Sequence, residues 1–255
     1  DFCLSRGLGD VYKRQGVDSF SELQALITPV NALSGLAVIS AYDGTNEEPI
    51  ASDYTTANVT GVTNANLALV NSAVAVRSAA DTDSQAEVQA LVNAAAGVIA
   101  LADGRGSGSA GLTSADYALL GVTGVNGVTN SSAKSSLLNS VIDRLPAGDV
   151  NSVAELQALA DAVASVIDAS ASNGSGLSLV QLQRLGIADA TASNLAQIQA
   201  VIAATTDNGS AVSTFQDLQT LVTRAAHLEQ ISSFDGSQVA PTSATYTAAG
   251  INGVS

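Results

Sequence analysis

The sequence predicts an all-α fold: tandem three-helix bundles of about 65 residues, joined by Gly/Ser-rich linkers. Two recurring markers and the composition predict it. The first marker is a Ser or Thr followed three residues later by an acid and then an aliphatic residue. It occurs as Ser19…Glu22-Leu23, Ser84…Glu87-Val88, Ser152…Glu155-Leu156 and Thr214…Asp217-Leu218, with the acids 65, 68 and 62 residues apart. The second marker is Tyr54, Tyr117, Leu182 and Tyr246, at steps of 63, 65 and 64. Four residues after each come Asn58, Gly121, Gly186 and Gly250, then Val59, Val122, Ile187 and Ile251. Two markers on one period are the signature of tandem copies. Aromatics make up only 4% of the chain, and Met and Trp are absent, which suits small Ala-rich helices better than a sheet of branched and aromatic residues.

Each copy reads as three helices. The first marker is a capping box: the hydroxyl accepts a free N–H at the helix start and the acid reaches back, a contribution of about 1 kcal/mol. Asp217 has the shorter reach, so the fourth box is expected to be weaker. Aliphatic residues follow at helical spacing, as in Val88, Leu91, Val92, Ala95 and Ile99, in Leu156, Leu159, Val163, Val166 and Ile167, and in Leu218, Leu221, Val222, Ala225 and Leu228. In the first copy Pro29 is expected to kink or break the helix. A short helix opens near Thr113, Ser178 or Thr242, carries the Tyr/Leu marker, and closes in a left-handed turn at Asn58, Gly121, Gly186 or Gly250. A middle helix carries Leu67, Val70 and Val74, then Leu138, Val141, Ile142 and Leu145, then Leu195, Ile198 and Ile202. Its entrance is expected at Thr63-Asn64 or Thr129-Asn130.

The stretches 103–112 and 170–177 are the richest in Gly and Ser, and read as flexible connections open to protease at 103–111 and 171–176. They set the phase: modules at 50–102, 112–170 and 177–234, the last helix of a truncated module at 16–43, and the start of another at 242–255. Residues 1–15 stand apart. Ser5–Gln15 reads SRGLGDVYKRQ, which matches one reading frame of a widely used transposase sequencing adapter, so 1–15 is taken as a library artefact and the rest as an internal fragment. Removing it shifts the net charge from −14 to −15 and takes away Cys3, the one cysteine.

Function is narrowed by exclusion. Nine Lys and Arg against 23 Asp and Glu, with a pI near 4.1, disfavour nucleic acid and anionic membrane. One Cys and one His leave no Cys/His metal site, and no membrane segment is expected. His227, beside Arg224 and Glu229, is weighed as a base or ligand against an ordinary helix residue, and the latter is favoured. Glu22, Glu87, Glu155 and Asp217 are read as caps rather than catalytic carboxylates. The loops Asp43–Glu48, Asp81–Asp83 and Asp207–Gly209 match no complete calcium motif and read as turns. Tyr54, Tyr117 and Tyr246 are read as core rather than binding hot spots, and Gly104–Gly108 as linker rather than a phosphate loop. No enzyme, catalytic residue, cofactor or metal site is expected.

The motifs Asp116-Tyr117 with Gly121-Val122-Thr123-Gly124-Val125, Asn66-Leu67-Ala68-Leu69-Val70-Asn71 and Ser84–Leu91 resemble repeats in very large surface or secreted proteins of Gram-negative bacteria, regarded as adhesins or biofilm-matrix proteins. The resemblance covers about 16–255, and Gln181-Leu182 departs from the Asp-Tyr pattern. The order of elements is more loosely similar to the three-helix albumin-binding module of streptococcal surface proteins, whose binding face is not carried over. The resemblance implies structural stalk or spacer repeats of an extracellular or cell-surface adhesin, with a repeated binding module for a host or matrix protein as the alternative. The fragment is expected to be monomeric.

Overall fold

The computed structural model describes residues 19–102, 104 and 111–254. The adapter-like segment 1–15 and most of 103–110 lie outside these residues. Among the described residues there are eleven α-helices and three short 3-10 turns, and no strand. The chain is all-α. It divides into two compact units, Asp1–Val92 and Asn93–Ser255.

The first unit holds α1 (Phe20–Ser40), α2 (Ala51–Thr56), α3 (Leu67–Ala75), a 3-10 turn at Ala79–Asp81 and the start of α4 (Gln85–Ala102). The unit border falls within α4, the helix on which the sequence reading ends its 50–102 module. The C-terminal half of α1 lies on α2. Gly35 permits this approach, since a Cβ there would stand 2.6 Å from the Ala57 amide nitrogen. Ile39, Tyr54, Leu69, Val70, Val88 and Val92 are fully buried. The expected break at Pro29 does not occur, and α1 runs unbroken through it. Ala25, whose carbonyl loses its donor to the proline, is exposed, so water offsets the lost bond.

The second unit holds the rest of α4, then α5 (Ser114–Leu119), α6 (Ser131–Ile142), a 3-10 turn at Ala147–Val150, α7 (Val153–Ala171), α8 (Leu179–Arg184), α9 (Leu195–Ala203), a 3-10 turn at Ser210–Val212, α10 (Phe215–Ser232) and α11 (Ser243–Ala248). Helix α7 packs on α6, α8 and α9, and α10 packs on α6, α9 and α11.

Local chemistry explains the helix ends. Capping boxes close at Ser19 and Ser152, and at Ser84 through Ser84 N–H to Glu87 Oε2 (3.1 Å) and Glu87 N–H to Ser84 Oγ (3.4 Å). At the fourth site Thr214 Oγ1 accepts from the Asp217 N–H at 3.1 Å, and the shorter carboxylate takes the Thr214 hydroxyl at 2.7 Å. The short helices start at caps Thr113, Ser178 and Thr242. They end with Asn58, Gly121, Gly186 and Gly250 at φ of 57°, 89°, 82° and 82°. The next amides, of Val59, Val122, Ile187 and Ile251, donate to the carbonyls of Tyr54, Tyr117, Leu182 and Tyr246 at 2.9–3.1 Å. This is the Schellman closure, which uses carbonyls the helix leaves free. The entrance to α3 lies later than expected, at Asn66. Its amide organises the approach, accepting from Thr63 N–H (2.7 Å) and donating to the Gly61 carbonyl (2.9 Å). Asn194 does the same with Thr191 and Asp189 before α9.

The segment 171–176 corrects the expectation of a flexible connection. It is a tight turn with Asn173 and Gly174 at φ of 55° and 78°. Gly174 is buried, and a Cβ there would stand 2.6 Å from the Gln199 carbonyl oxygen. The glycine serves a close approach to α9.

Candidate functional site

An open cleft of about 680 Å³ lies in the second unit, lined by Leu112, Thr113, Ser131, Ser135, Asn139 and Ser140 among others. Three of its hydroxyls are engaged in structure. Ser135 Oγ donates to the Ser131 and Ser132 carbonyls at 3.0 and 3.1 Å. Ser140 Oγ accepts from the Phe215 N–H at 2.9 Å. Thr113 caps α5.

Asn139, on the wall of that cleft, is part of a buried polar arrangement. Its Oδ1 accepts from the Tyr117 hydroxyl at 2.7 Å and its Nδ2 donates to the Leu112 carbonyl at 2.8 Å. The amide thereby fixes the approach to α5 and satisfies a tyrosine with no exposed surface. The same arrangement stands in the first unit: the Tyr54 hydroxyl donates to Asn71 Oδ1, and Asn71 Nδ2 donates to the Pro49 carbonyl at 2.8 Å. At the third position Leu182 brings no hydroxyl, and Gln199 replaces the Asn, donating to the Leu177 carbonyl at 2.8 Å. Burial pushes the Tyr54 and Tyr117 hydroxyls well above the ordinary tyrosine range, with the neighbouring carboxylates Asp53 and Asp116 adding to it. Tyr54 and Tyr117 are thus core side chains, and Tyr246 is half-buried. Sequence reading missed the amide partners. Their signal was a polar residue on the apolar face of each middle helix.

A second set of amides ties the long helices to the turns after the short ones. Gln89 accepts from Thr60 N–H and donates to the Thr60 carbonyl, both at 2.9 Å. Gln157 bonds Thr123 in the same way at 2.8 and 3.3 Å. Gln219 reaches Asp189 Oδ2 at 2.7 Å.

In the second unit the 177–234 stretch packs directly on 112–170. Asn130 Nδ2 donates to the Asp207 carbonyl at 2.9 Å, and the Arg144 guanidinium lies 4.0 Å over the Phe215 ring. A Cβ on Gly209 would be 2.7 Å from Ile167 Cγ2. Lys134, nearly buried on α6, meets Asp168 of α7 at 2.9 and 3.2 Å. Sequence reading did not anticipate this ion pair.

The remaining candidates disperse. His227 is half-buried in α10. Its neighbour Arg224 reaches away to donate to the Ala249 carbonyl at 3.1 Å, a cation at a helix C-terminus. Among the described residues no group of three or more His, Cys, Asp or Glu gathers where it could hold a metal. In the 43–48 loop Asp43 Oδ1 accepts from the Thr45 N–H and hydroxyl at 2.9 and 2.7 Å, and these bonds hold its carboxyl below the usual range. Asp235 accepts from Ser237 in the same manner after α10. In the 81–83 loop Asp81 takes the Ser78 hydroxyl at 2.6 Å, and at 207–209 Asn208 Oδ1 accepts from the Ser210 N–H at 3.0 Å. Most of Gly104–Gly108 lies outside the described residues. Among the described residues two helices are long and apolar enough to cross a membrane by length and composition, α1 and α4. In α4 the apolarity belongs to a core helix, with Val88, Leu91, Val92 and Val98 buried.

Protein-family models, curated proteins and solved structures offer no match to this chain. What the geometry offers is connection: buried amides, capped helices, and helices seated on their successors.

Proposed function

We propose that the chain is a tandem array of three-helix modules of about 65 residues, with modules at 50–102, 112–170 and 177–234, a partial module at 16–43 and the start of another at 242–255. We propose that it serves as structural stalk or spacer repeats of a large extracellular bacterial adhesin or biofilm-associated protein. One observation carries the reading. The Schellman turn at 58, 121, 186 and 250 recurs on one period in the same structural role, and the long-helix amides Gln89 and Gln157 both bond the backbone of the turn after the short helix, while Gln219 at the matching position bonds the Asp189 carboxylate in that turn. These are parts of a framework built by copying, and none is reactive. The direct seating of 177–234 on 112–170 favours a semi-rigid spacer over beads on slack linkers. Such an array holds a distal domain at a distance set by copy number, and a net charge of −14 keeps neighbouring stalks apart.

The alternative, a repeated binding module, requires an apolar patch recurring on one face of each module. Among the described residues outside α1 the exposed apolar residues do not recur. Leu119 corresponds to Thr56, Arg184 and Ala248, and Val180 to Ser52, Ala115 and Ala244. Small-angle scattering on chains extended by one and two further copies of 112–176 tests the spacer. The account expects maximum dimension to grow by an equal increment per copy. A dimension that stays constant, or isothermal calorimetry showing each added copy to contribute one binding site for fibronectin or collagen, overturns it.

A further inference from the structure

Helix α1 carries an apolar face that nothing among the described residues covers: Leu23, Leu26, Ile27, Val30 and Leu33 are 44, 56, 41, 64 and 65% exposed. These residues stand 1, 4, 5, 8 and 11 positions after the cap acid Glu22. The same positions after Glu87 are Val88, Leu91, Val92, Ala95 and Val98, and after Glu155 they are Leu156, Leu159, Ala160, Val163 and Val166. All ten are at most 5% exposed. After Asp217, Leu218, Val222 and Ala225 are fully buried. The first three turns of these helices face the short and middle helices that precede them, as the Gln89–Thr60 and Gln157–Thr123 bonds record. The next short helix sits further along, as α2 does on Gly35.

We infer that the exposed face of α1 is the seat of a helix pair of this same pattern: a short helix closed by a left-handed Asn or Gly turn, followed by a middle helix with an inward amide. The inference rests on the repeat reading above. Two further features of α1 fit that occupant. Gln24 stands two positions after Glu22, as Gln89, Gln157 and Gln219 stand after their acids, so its carboxamide is placed to bond the backbone of the occupant's turn. The box at Ser19 is already closed, so α1 presents the same start as the helices that are covered. A lipid surface is the competing occupant, since α1 is long and apolar enough to enter one, and the vesicle arm of the test separates the two.

The test replaces residues 1–18 by a second copy of 112–151, so that its Asn151 runs into Ser19 as it runs into Ser152 in the natural order. Hydrogen exchange and binding of an apolar dye are compared with the unfused chain. The account expects the amides of Leu23–Leu33 to gain protection by about tenfold or more, and dye binding to fall. Gln24→Ala is expected to reverse part of that protection. A fused chain carrying Asp at the copied Leu137 and Leu138 is expected to behave as the unfused one. Unchanged α1 exchange in the fused chain overturns the inference. So does insertion of α1 into phosphatidylcholine vesicles, or a dimer in sedimentation, that persists in the fused chain. The repeat reading is tested separately, on 112–234 of the unfused chain, so the two failures are distinguishable.

Discussion

Replacing Asn139 by Ala removes one side chain and strands two polar groups, one buried and one at the edge of the cleft. The Tyr117 hydroxyl has no exposed surface and donates only to Asn139 Oδ1, and the Leu112 carbonyl receives Asn139 Nδ2. A buried polar group left without its partner costs about 1–3 kcal/mol. The Leu112 carbonyl borders the open cleft and can regain water, so it belongs at the low end. The total expected for Asn139→Ala is about 2–4 kcal/mol. Tyr117→Phe removes the donor but leaves Asn139 its bond to Leu112, and costs about 1 kcal/mol. With both changed the hydroxyl penalty disappears, so the double variant is less destabilised than the sum of the singles by about 1–3 kcal/mol. Native-state hydrogen exchange at the amides of Tyr117, Leu120 and Val122 reads this locally. An Asn139→Ala variant within about 0.5 kcal/mol of the parent, or strict additivity with Tyr117→Phe, refutes the reasoning.

Three further outcomes follow. Asp168→Asn leaves the Lys134 ammonium nearly buried without its anion, at about 1–2 kcal/mol given the exposure of Asp168, whereas Lys134→Met removes the charge and keeps the packing at about 0–1 kcal/mol. Urea midpoints in the reverse order contradict that assignment. Gly174→Ala places a Cβ against the Gln199 carbonyl at positive φ and costs about 1–3 kcal/mol, and it opens the 171–176 turn to protease; an unchanged cleavage rate there contradicts the packed turn. The folded state holds the protons of Tyr54 and Tyr117 above the ordinary tyrosine value. Their contribution is therefore intact below about pH 10, and is lost as pH rises above the unfolded value. Absorbance at 295 nm is expected to show these two ionising together with loss of helix, and ionisation of all tyrosines near pH 10 with helicity intact contradicts it.

Features governed by neighbouring residues were legible in the sequence. Caps at Ser19, Ser84, Ser152 and Thr214 and turns at Asn58, Gly121, Gly186 and Gly250 need only local chemistry, and the structure places each where the residues put it. Burial of Tyr54, Tyr117 and Leu182 was legible because one position recurred with one character. Features that depend on distant partners were not. Gly174 looked like slack composition, yet its role is set by Gln199. Lys134 looked like a surface residue until α7 brought Asp168 to it. Pro29 looked like a break, but on an exposed helix face water offsets the missing bond. The turn Asp43-Gly44-Thr45-Asn46 returns as Asp235-Gly236-Ser237-Gln238, with Asp43 N–H bonding Asn46 and Asp235 N–H bonding Gln238, both at 3.2 Å. That pairing was visible in the letters, but the substitutions at two of four positions obscured it.

The central claim is that one unit has been copied along the chain. A crystal structure of residues 112–234, with 112–170 superposed on 177–234, measures it most directly. The account predicts that the short, middle and long helices of both stretches overlay together, with Tyr117 on Leu182, Asn139 on Gln199 and Gln157 on Gln219. If only single helices can be overlaid, and the turns at Gly121 and Gly186 then point in unrelated directions, the claim is contradicted.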